Sequence, residues 1–383
     1  MRYVSGPYTQ GQLLKEITEI ETSLTNRYLC SGVISDAAEQ RSWRERVEDA
    51  SFGRNTVMYD DASHPAVMVA IPSFTEADVL TGGANKPHPA FVVGTATKSV
   101  IYVSKYQSCT VGSDATLRAV TLRGVDPGNK INFDNARLAC TQKGTGWHLM
   151  TNAEWAAIAL WCKAKGFMPR GNNIFGKDHS VATEKGVCSY ISSNQIGRVA
   201  TGSGPVAWSH DGSPFGIYDL NGNVWEWVGG LRTNAGEIQV FENNNAADGT
   251  KDQGAASAEW KAILQDGSLV ALGTADTLKY DGTNPPVVNT SVTATASTSR
   301  TFESLVAAAG VTVPNLAKLL GLFPIDSSHH GGDNFYLNSA DECVAVRGGG
   351  WTAASSAGVF ALSLYSPRSA SFDSLGFRAA FIP

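Results

Sequence analysis

The chain has 383 residues, of which 43% are hydrophobic and 17% are charged, and 30 Lys and Arg residues face 35 Asp and Glu residues, for a net charge of -5. This length suffices for one large or two modest domains that bury an ample core. The acidic balance and the low charged fraction exclude a surface built for polyanions, so we expect no nucleic-acid partner.

Targeting signals and cysteine chemistry are sparse in the sequence. Residues 1–8 lack the apolar core of a signal peptide and no apolar run reaches membrane-spanning length, so we expect no membrane insertion and synthesis in the cytoplasm, which also suits a virion component such as a phage tail protein. The six cysteines have neither a CxxC pair nor zinc-site spacing, which favours buried free thiols over disulfides. They are Cys30, Cys109, Cys140, Cys162, Cys188 and Cys343.

The first predicted element is a short amphipathic helix over residues 10–26, where apolar residues recur every three or four positions. Packing on its own domain is favoured over an oligomer seam, because so few turns make a weak coiled coil. Residues 56–59 and 66–71 are predicted strands within irregular β structure. We place the end of an N-terminal extension near residues 82–87, which gives an extension over 1–85 and a ligand-binding domain over 86–383.

Strands are predicted next over residues 91–93 and 100–106, and a helix over 132–143. A second helix begins at Thr151, because Glu154 three residues later completes a capping box, and it ends at Gly166. Residues 230–300 are rich in Asn, Gly, Ala, Thr and Asp, which indicates an insertion over about 231–342. Two short helices, over 303–309 and 314–320, are predicted near its end.

Two glycine- and tryptophan-rich segments form the predicted framework. Residues 347–351 read Arg-Gly-Gly-Gly-Trp, and residues 223–227 alternate as a strand does, with Trp225 and Trp227 on one face and Glu226 on the other. A buried glutamate needs a partner, and Arg347 and Arg378 are the candidates. A structural ion pair is favoured over a catalytic carboxylate.

Four blocks in the order 148–155, 216–228, 347–351 and 376–378 resemble the formylglycine-generating-enzyme (sulfatase-modifying factor) branch of the C-type lectin fold. The resemblance spans roughly residues 89–230 and 343–383, and it implies an α+β fold of C-type lectin type with an N-terminal extension and a long insertion. In that enzyme family a Cys pair after the Arg-Gly-Gly block carries copper-dependent oxidation. The matching positions here are Ala353 and Gly358, so the thiolate ligands are missing.

Residues 348–378 are also similar to the variable proteins of diversity-generating retroelements, which include phage tropism determinants. Adenine-directed mutagenesis turns Asn codons into a set that excludes Lys, Glu, Gln, Met and Trp, and residues 352–375 contain none of these. The resemblance implies a variable region over about 347–378 whose side chains are displayed on a rigid face, with Tyr365 and Phe372 as aromatic anchors. The implied ligand-binding residues are Gly350, Thr352, Ala353, Ser355, Ser356, Ser363, Tyr365, Ser366, Ala370, Phe372, Asp373 and Ser374. The alternative without a binding function is a Ser- and Ala-rich surface loop that has no partner.

Metal and cofactor chemistry receive little support. His210 next to Asp211, and His329 and His330 near Asp333, could in principle ligate a metal. Both groups lie in glycine-containing loops, where exposed histidines are favoured over ligands, so no catalytic residue, metal site or cofactor is predicted. Backbone carbonyls near Asn221 and Asn223 still allow a structural divalent cation.

The sequence therefore predicts a non-enzymatic, hypervariable receptor-recognition protein encoded by a phage or prophage. Its expected partner is a protein or other macromolecule on a target cell surface, and a homo-oligomer would add avidity. The alternatives are a metal-dependent oxidase of the formylglycine-generating-enzyme type and a structural virion protein.

Overall fold

The computed structural model describes residues 9–383. The absence of a signal peptide, which was predicted from residues 1–8, lies outside the described residues. Among the described residues, the α-helices are α1 Gln10–Ser31, α2 Ala37–Ser51, α3 Phe133–Thr141, α4 Asn152–Ala164 and α5 Asn315–Leu319. Within the described part of the chain, no helix has both the length and the apolarity that a membrane crossing requires.

The strands are short and belong to two main sheets and three two-stranded ribbons. In chain order they are β1 Asn55–Tyr59, β2 Pro65–Pro72, β3 Val92–Val93, β4 Ala96–Thr97, β5 Val100–Ser104, β6 Cys109–Val111, β7 Arg118–Val120, β8 Trp147–Leu149, β9 Ile191–Ser192, β10 Gln195–Ile196, β11 Trp225–Asn234, β12 Glu237–Val240, β13 Lys261–Ile263, β14 Leu269–Val270, β15 Lys279–Asp281, β16 Val287–Asn289, β17 Ser297–Thr301, β18 Asn334–Asn338, β19 Cys343–Gly348, β20 Gly358–Leu364, β21 Leu375–Phe377 and β22 Ala379–Phe381.

The N-terminal helix is attached to the rest of the molecule through a buried polar cluster. Its apolar stripe enters a core that also contains Trp208 and Phe215. Glu21 on the same face lies 2.7 Å from the Nζ of Lys105, and both side chains are fully buried. Helix α1 thus packs on its own domain, as the sequence predicts, and it continues to Ser31, beyond the predicted end.

The five-stranded sheet has the order β1-β2-β5-β22-β8. It joins strands from before and after residues 82–87, because β2 pairs with β5, with Val69 opposite Val103. The predicted division into an extension and a domain therefore falls inside one sheet. Helix α2, which begins at its cap Asp36, precedes this sheet and was missed by the sequence analysis.

The larger sheet has eleven strands, of which the central ones are β11-β19-β20-β18. Strands β12 to β18 come from the predicted insertion, so this segment extends the sheet edge. Helix α5 confirms one of the two helices predicted there. The other prediction, over 303–309, is wrong: the chain makes a short 3-10 turn at Phe302–Ser304 and then pairs Ala307 with Val288.

The two sheets meet at Arg378, which separates β21 from β22. Its guanidinium is fully buried and donates to both carboxylate oxygens of Glu226, at 3.0 and 2.8 Å. The ion pair predicted for Glu226 is therefore confirmed with Arg378 as the partner. Arg347, the other candidate, donates instead to the side chain of Asn152 and to the backbone carbonyl of Gly321.

Candidate functional site

The predicted variable residues lie against the larger sheet, where five of its strands, β11, β18, β19, β20 and β21, each place a side chain in one region. Ser363 on β20 lies opposite Tyr336 on β18 and Val346 on β19. Because alternate residues of a strand point to opposite faces, Leu362 and Leu364 enter the main core while Ser363 faces away from it. The alternating sequence Leu-Ser-Leu over residues 362–364 indicates the same arrangement.

A groove of about 430 Å³ opens over this region. Its floor comes from the strands, and its rim comes from two loops, the one after β19 and the one between β20 and β21. Tyr365 and Phe372 stand on the rim with 52% and 54% of their surface exposed. We call this feature the variable groove, and its lining residues are Trp225, Tyr336, Val346, Thr352, Ala353, Ser363, Tyr365, Ser366, Phe372, Ser374 and Leu375.

Seven of the twelve predicted ligand-binding residues line the variable groove. They are Thr352, Ala353, Ser363, Tyr365, Ser366, Phe372 and Ser374. No charged side chain lines it, although aromatic rings and hydroxyl groups are frequent. This lining suits an uncharged ligand surface with apolar and hydrogen-bonding parts.

The other five predicted residues are arranged differently. Gly350 and Ala370 are buried, and Ala370 belongs to the core beneath the groove, so neither is displayed as predicted. Ser363 lines the groove floor but is also buried, with 7% of its surface exposed. Packing leaves such positions little room for larger side chains. Ser355, Ser356 and Asp373 lie at the surface beside the groove, either exposed or half-buried.

Four floor residues were not predicted as site residues. Trp225 and Tyr336 contact each other edge to face, with ring centroids 6.0 Å apart, and Val346 and Leu375 complete the floor. Tyr336 comes from the predicted insertion, so its position depends on the parallel pairing of β18 with β20. The alternating sequence around Trp225 was the one available signal, and it indicates a strand face without indicating a groove.

The backbone of the variable region is held by its neighbours through carbonyl groups. The amide N–H of Val344 donates to the carbonyl of Ser366 at 3.0 Å, and the N–H of Trp225 donates to that of Ser374 at 2.8 Å. The N–H of Lys130 likewise donates to the carbonyl of Phe372 at 2.8 Å. These bonds do not involve the displayed side chains, so exchanging those side chains leaves them intact.

A single arginine supports the loop between β20 and β21 from the outside. Arg198 is buried, pairs with Asp126 at 2.9 Å, and donates to the backbone carbonyl of Asp373 at 2.8 Å. Its guanidinium lies 4.1 Å from the ring centre of Tyr190, which in turn packs edge to face on Trp351. Framework residues thus fix the position of the loop that carries Phe372.

The positions that match the family's Cys pair do not favour thiol chemistry. Ala353 lines the groove, and a Cβ built on Gly358 would overlap the carboxylate of Asp333. Asp333 is buried, and burial raises its pKa well above the ordinary value. A cysteine at position 358 would require this carboxylate to move.

The histidine predictions need correction. His329 is exposed as expected, but His210 and His330 are buried, and burial lowers the pKa of each to about 4. Among residues 9–383, no three His, Cys, Asp or Glu side chains are grouped so as to hold a metal ion. All six cysteines are free thiols, although Cys30 and Cys188 are exposed where buried ones were expected. The structural cation near Asn221 and Asn223 stays a prediction.

Two joined sheets, flanking helices and the order of the framework blocks define an α+β domain of C-type lectin type. The family described as "Sulfatase-modifying factor enzyme 1-like domain" matches residues 21–253, more than half of the chain. The chain belongs to this family. The match begins inside the segment predicted as an N-terminal extension.

Several solved structures resemble this one. PvdO from Pseudomonas aeruginosa has 16% sequence identity and a TM-score of 0.36, with 86% of this chain and 98% of that chain covered. Treponema denticola variable protein 1 has 13% identity and a TM-score of 0.33, with 86% and 99% covered. The P3c variant of Major Tropism Determinant has 12% identity and a TM-score of 0.28, with 84% of this chain and 65% of that chain covered.

The sequence identities and TM-scores of these structures are too low to indicate a function. The resemblance predicted from the sequence is confirmed at the level of family and fold. A search of curated protein sequences finds no match.

Proposed function

We propose that this protein is a non-enzymatic ligand-binding protein that recognises a macromolecule on a cell surface through the variable groove. One observation carries the proposal: seven of the twelve residues that the resemblance to retroelement variable proteins implies as displayed line a single groove, although they come from two loops and a strand. A Ser- and Ala-rich loop without a partner gives no reason for such convergence.

The rigidity of the surrounding framework supports exchangeable side chains. The carbonyl groups of the rim loops are held by main-chain donors and by Arg198, and Trp225 and Tyr336 form a floor outside the variable region. Exposed substitutions on such a frame change stability by about 0.5 kcal/mol or less. Sequence change is thereby separated from folding, which is what a diversified receptor-recognition surface requires.

Tyr365 and Phe372 are the anchors of the proposed contact. Each exposes a large aromatic surface at the rim, and buried aromatic anchors dominate many protein interfaces. A phage or prophage origin would place this surface on a virion, where many copies act together through avidity. The proposal leaves the receptor open to change, since the rim is the part that varies.

The binding test compares two double variants. Tyr365→Ala with Phe372→Ala removes both anchors, whereas Leu29→Ala with Val306→Ala removes two other exposed apolar side chains, 64% and 50% exposed, away from the groove. Labelled protein is titrated onto cells of the host population from which the gene was taken. We expect the first pair to lose binding at least about tenfold and the second pair to bind as the parent does. Equal binding by both pairs would contradict the proposal.

A genetic test is independent of any receptor. The gene is sequenced from several isolates of one host population, and we expect differences to concentrate at Thr352, Tyr365, Ser366, Phe372 and Ser374. Differences scattered evenly along the chain would count against diversification. A metal-dependent oxidase, which family membership suggests as the second candidate, predicts instead oxygen uptake by protein loaded with copper or iron.

A further inference from the structure

A second cavity lies on another part of the molecule, between β2, helix α4 and the turn that joins α2 to β1. Its volume is about 240 Å³. The walls are mostly apolar and aromatic, and include Ile71, Phe74, Ile158 and Trp161. An apolar protein cavity of roughly 150 Å³ admits benzene, so this one has room for a single ring with a small substituent.

The imidazole of His210 lines this cavity, and a hydrogen bond determines which ring nitrogen carries its proton. The backbone N–H of Ile217 donates to Nδ1 of His210 at 2.8 Å, so Nδ1 is the acceptor and the ring proton sits on Nε2. Burial lowers the pKa of His210 to about 4, which keeps the ring neutral near pH 7. His210 lines the cavity, and its Nε2 has no hydrogen-bond partner among residues 9–383. Because Nε2 is not among the fully buried polar atoms, this donor is accessible, and the oxygen of a ligand in the cavity can accept its proton.

Charges at the edge of the cavity are already satisfied. The guanidinium of Arg54 contacts the carboxylate of Asp211 and donates to the hydroxyl of Ser213 at 3.2 Å. The same hydroxyl donates to Asp211 at 3.0 Å. Because this cation and anion neutralise each other, the cavity offers no free charge to an ionic ligand.

We propose that this cavity binds a small, neutral, single-ring aromatic molecule that carries an oxygen acceptor, such as an aryl ketone. The ring packs against Trp161 and Phe74, and the oxygen accepts the Nε2 proton of His210. Aromatic walls favour edge-to-face or offset contacts with a bound ring. The site is separate from the variable groove and does not depend on the function proposed for that groove.

The test titrates full-length protein with acetophenone, followed by saturation-transfer NMR and calorimetry. Its isostere α-methylstyrene, which has a methylene group in place of the oxygen, should bind about tenfold more weakly. Benzoate should bind more weakly than acetophenone, because its charge finds no partner. Absence of acetophenone binding at millimolar concentration, equal affinity for the isostere, or tighter binding of benzoate would each overturn the proposal.

Variants locate the site. Ala70→Phe fills the cavity and should abolish binding, whereas Phe372→Ala in the variable groove should leave it unchanged. His210→Asn keeps an oxygen that can accept the N–H of Ile217, but its shorter side chain places no donor at the position of Nε2. This variant should therefore bind acetophenone only as tightly as the isostere. Circular dichroism checks that each variant is folded, and the His210 variant decides the matter if Ala70→Phe does not fold. Unchanged acetophenone affinity in a folded Ala70→Phe or His210→Asn variant would overturn the proposal.

Discussion

The ion pair between Glu226 and Arg378 joins the two sheets, and removing one partner tests its role. Arg378→Met takes away both bonds to Glu226 and the donors to the backbone carbonyls of Ser104 and Tyr218, each at 2.9 Å. Glu226 is then buried with the amide of Gln107 as its remaining side-chain donor, at 3.0 Å. Leaving a buried charge without its partner costs about 3 to 5 kcal/mol, and we expect a loss of that size.

Urea unfolding followed by tryptophan fluorescence measures the loss as the change in midpoint multiplied by the slope. The double variant Glu226→Leu with Arg378→Met buries no charge, and it should be about 2 kcal/mol more stable than Arg378→Met alone. The control is Lys15→Met, which breaks an exposed pair with Glu19 at 3.9 Å and should change stability by about 0.5 kcal/mol or less. The reasoning would be refuted if Arg378→Met lost no more stability than this control, or if the double variant were no more stable than Arg378→Met alone.

Three further predictions concern acid stability, the variable region and the N-terminal helix. Burial lowers the pKa of His88 from 6.5 to about 4, so the stability that this neutral histidine confers is fully present above pH 6.5 and falls by about 3 kcal/mol as the pH drops to 4. Measured by urea unfolding, the His88→Gln variant should lose about 3 kcal/mol less stability than the parent between these two pH values. Ala370→Leu should cost about 1 to 3 kcal/mol by overpacking, while Thr352→Leu at the exposed rim should cost about 0.5 kcal/mol or less, measured by the same unfolding; equal costs would mean that burial does not limit exchange. Lys105→Met leaves Glu21 buried without its cation and should cost about 3 to 5 kcal/mol and speed proteolysis within α1; unaltered proteolysis would show that the pair does not hold the helix.

Local signals in the sequence predicted what local physics determines. The capping box at Thr151 and Glu154 starts helix α4, and the alternation around Ser363 predicts which face of β20 meets the core. The family blocks predicted the fold, and they predicted that Glu226 is paired, with Arg378 as one of two candidate partners. What failed depends on distant contacts: His210 is buried because α4 covers its loop, and Ala370 is buried because the core beneath the groove receives it. Loop composition alone carries no record of such coverage.

The position of Tyr336 shows why the insertion belongs to the groove. Its strand β18, near the end of the insertion, pairs with β20 in parallel, and the chain crosses between the two through residues 339–357, which include β19. With Trp225 from β11, Tyr336 gives the groove an aromatic floor that lies outside the variable region. A fixed floor supplies apolar contact to any ligand that reaches it, while the exchangeable rim decides which ligand fits. On this argument Tyr336→Ala weakens binding to every receptor, whereas a rim substitution weakens binding to some and strengthens it to others. A Tyr336→Ala variant tested across receptors bound by different rim sequences separates these roles, and receptor-dependent effects at position 336 would contradict the division.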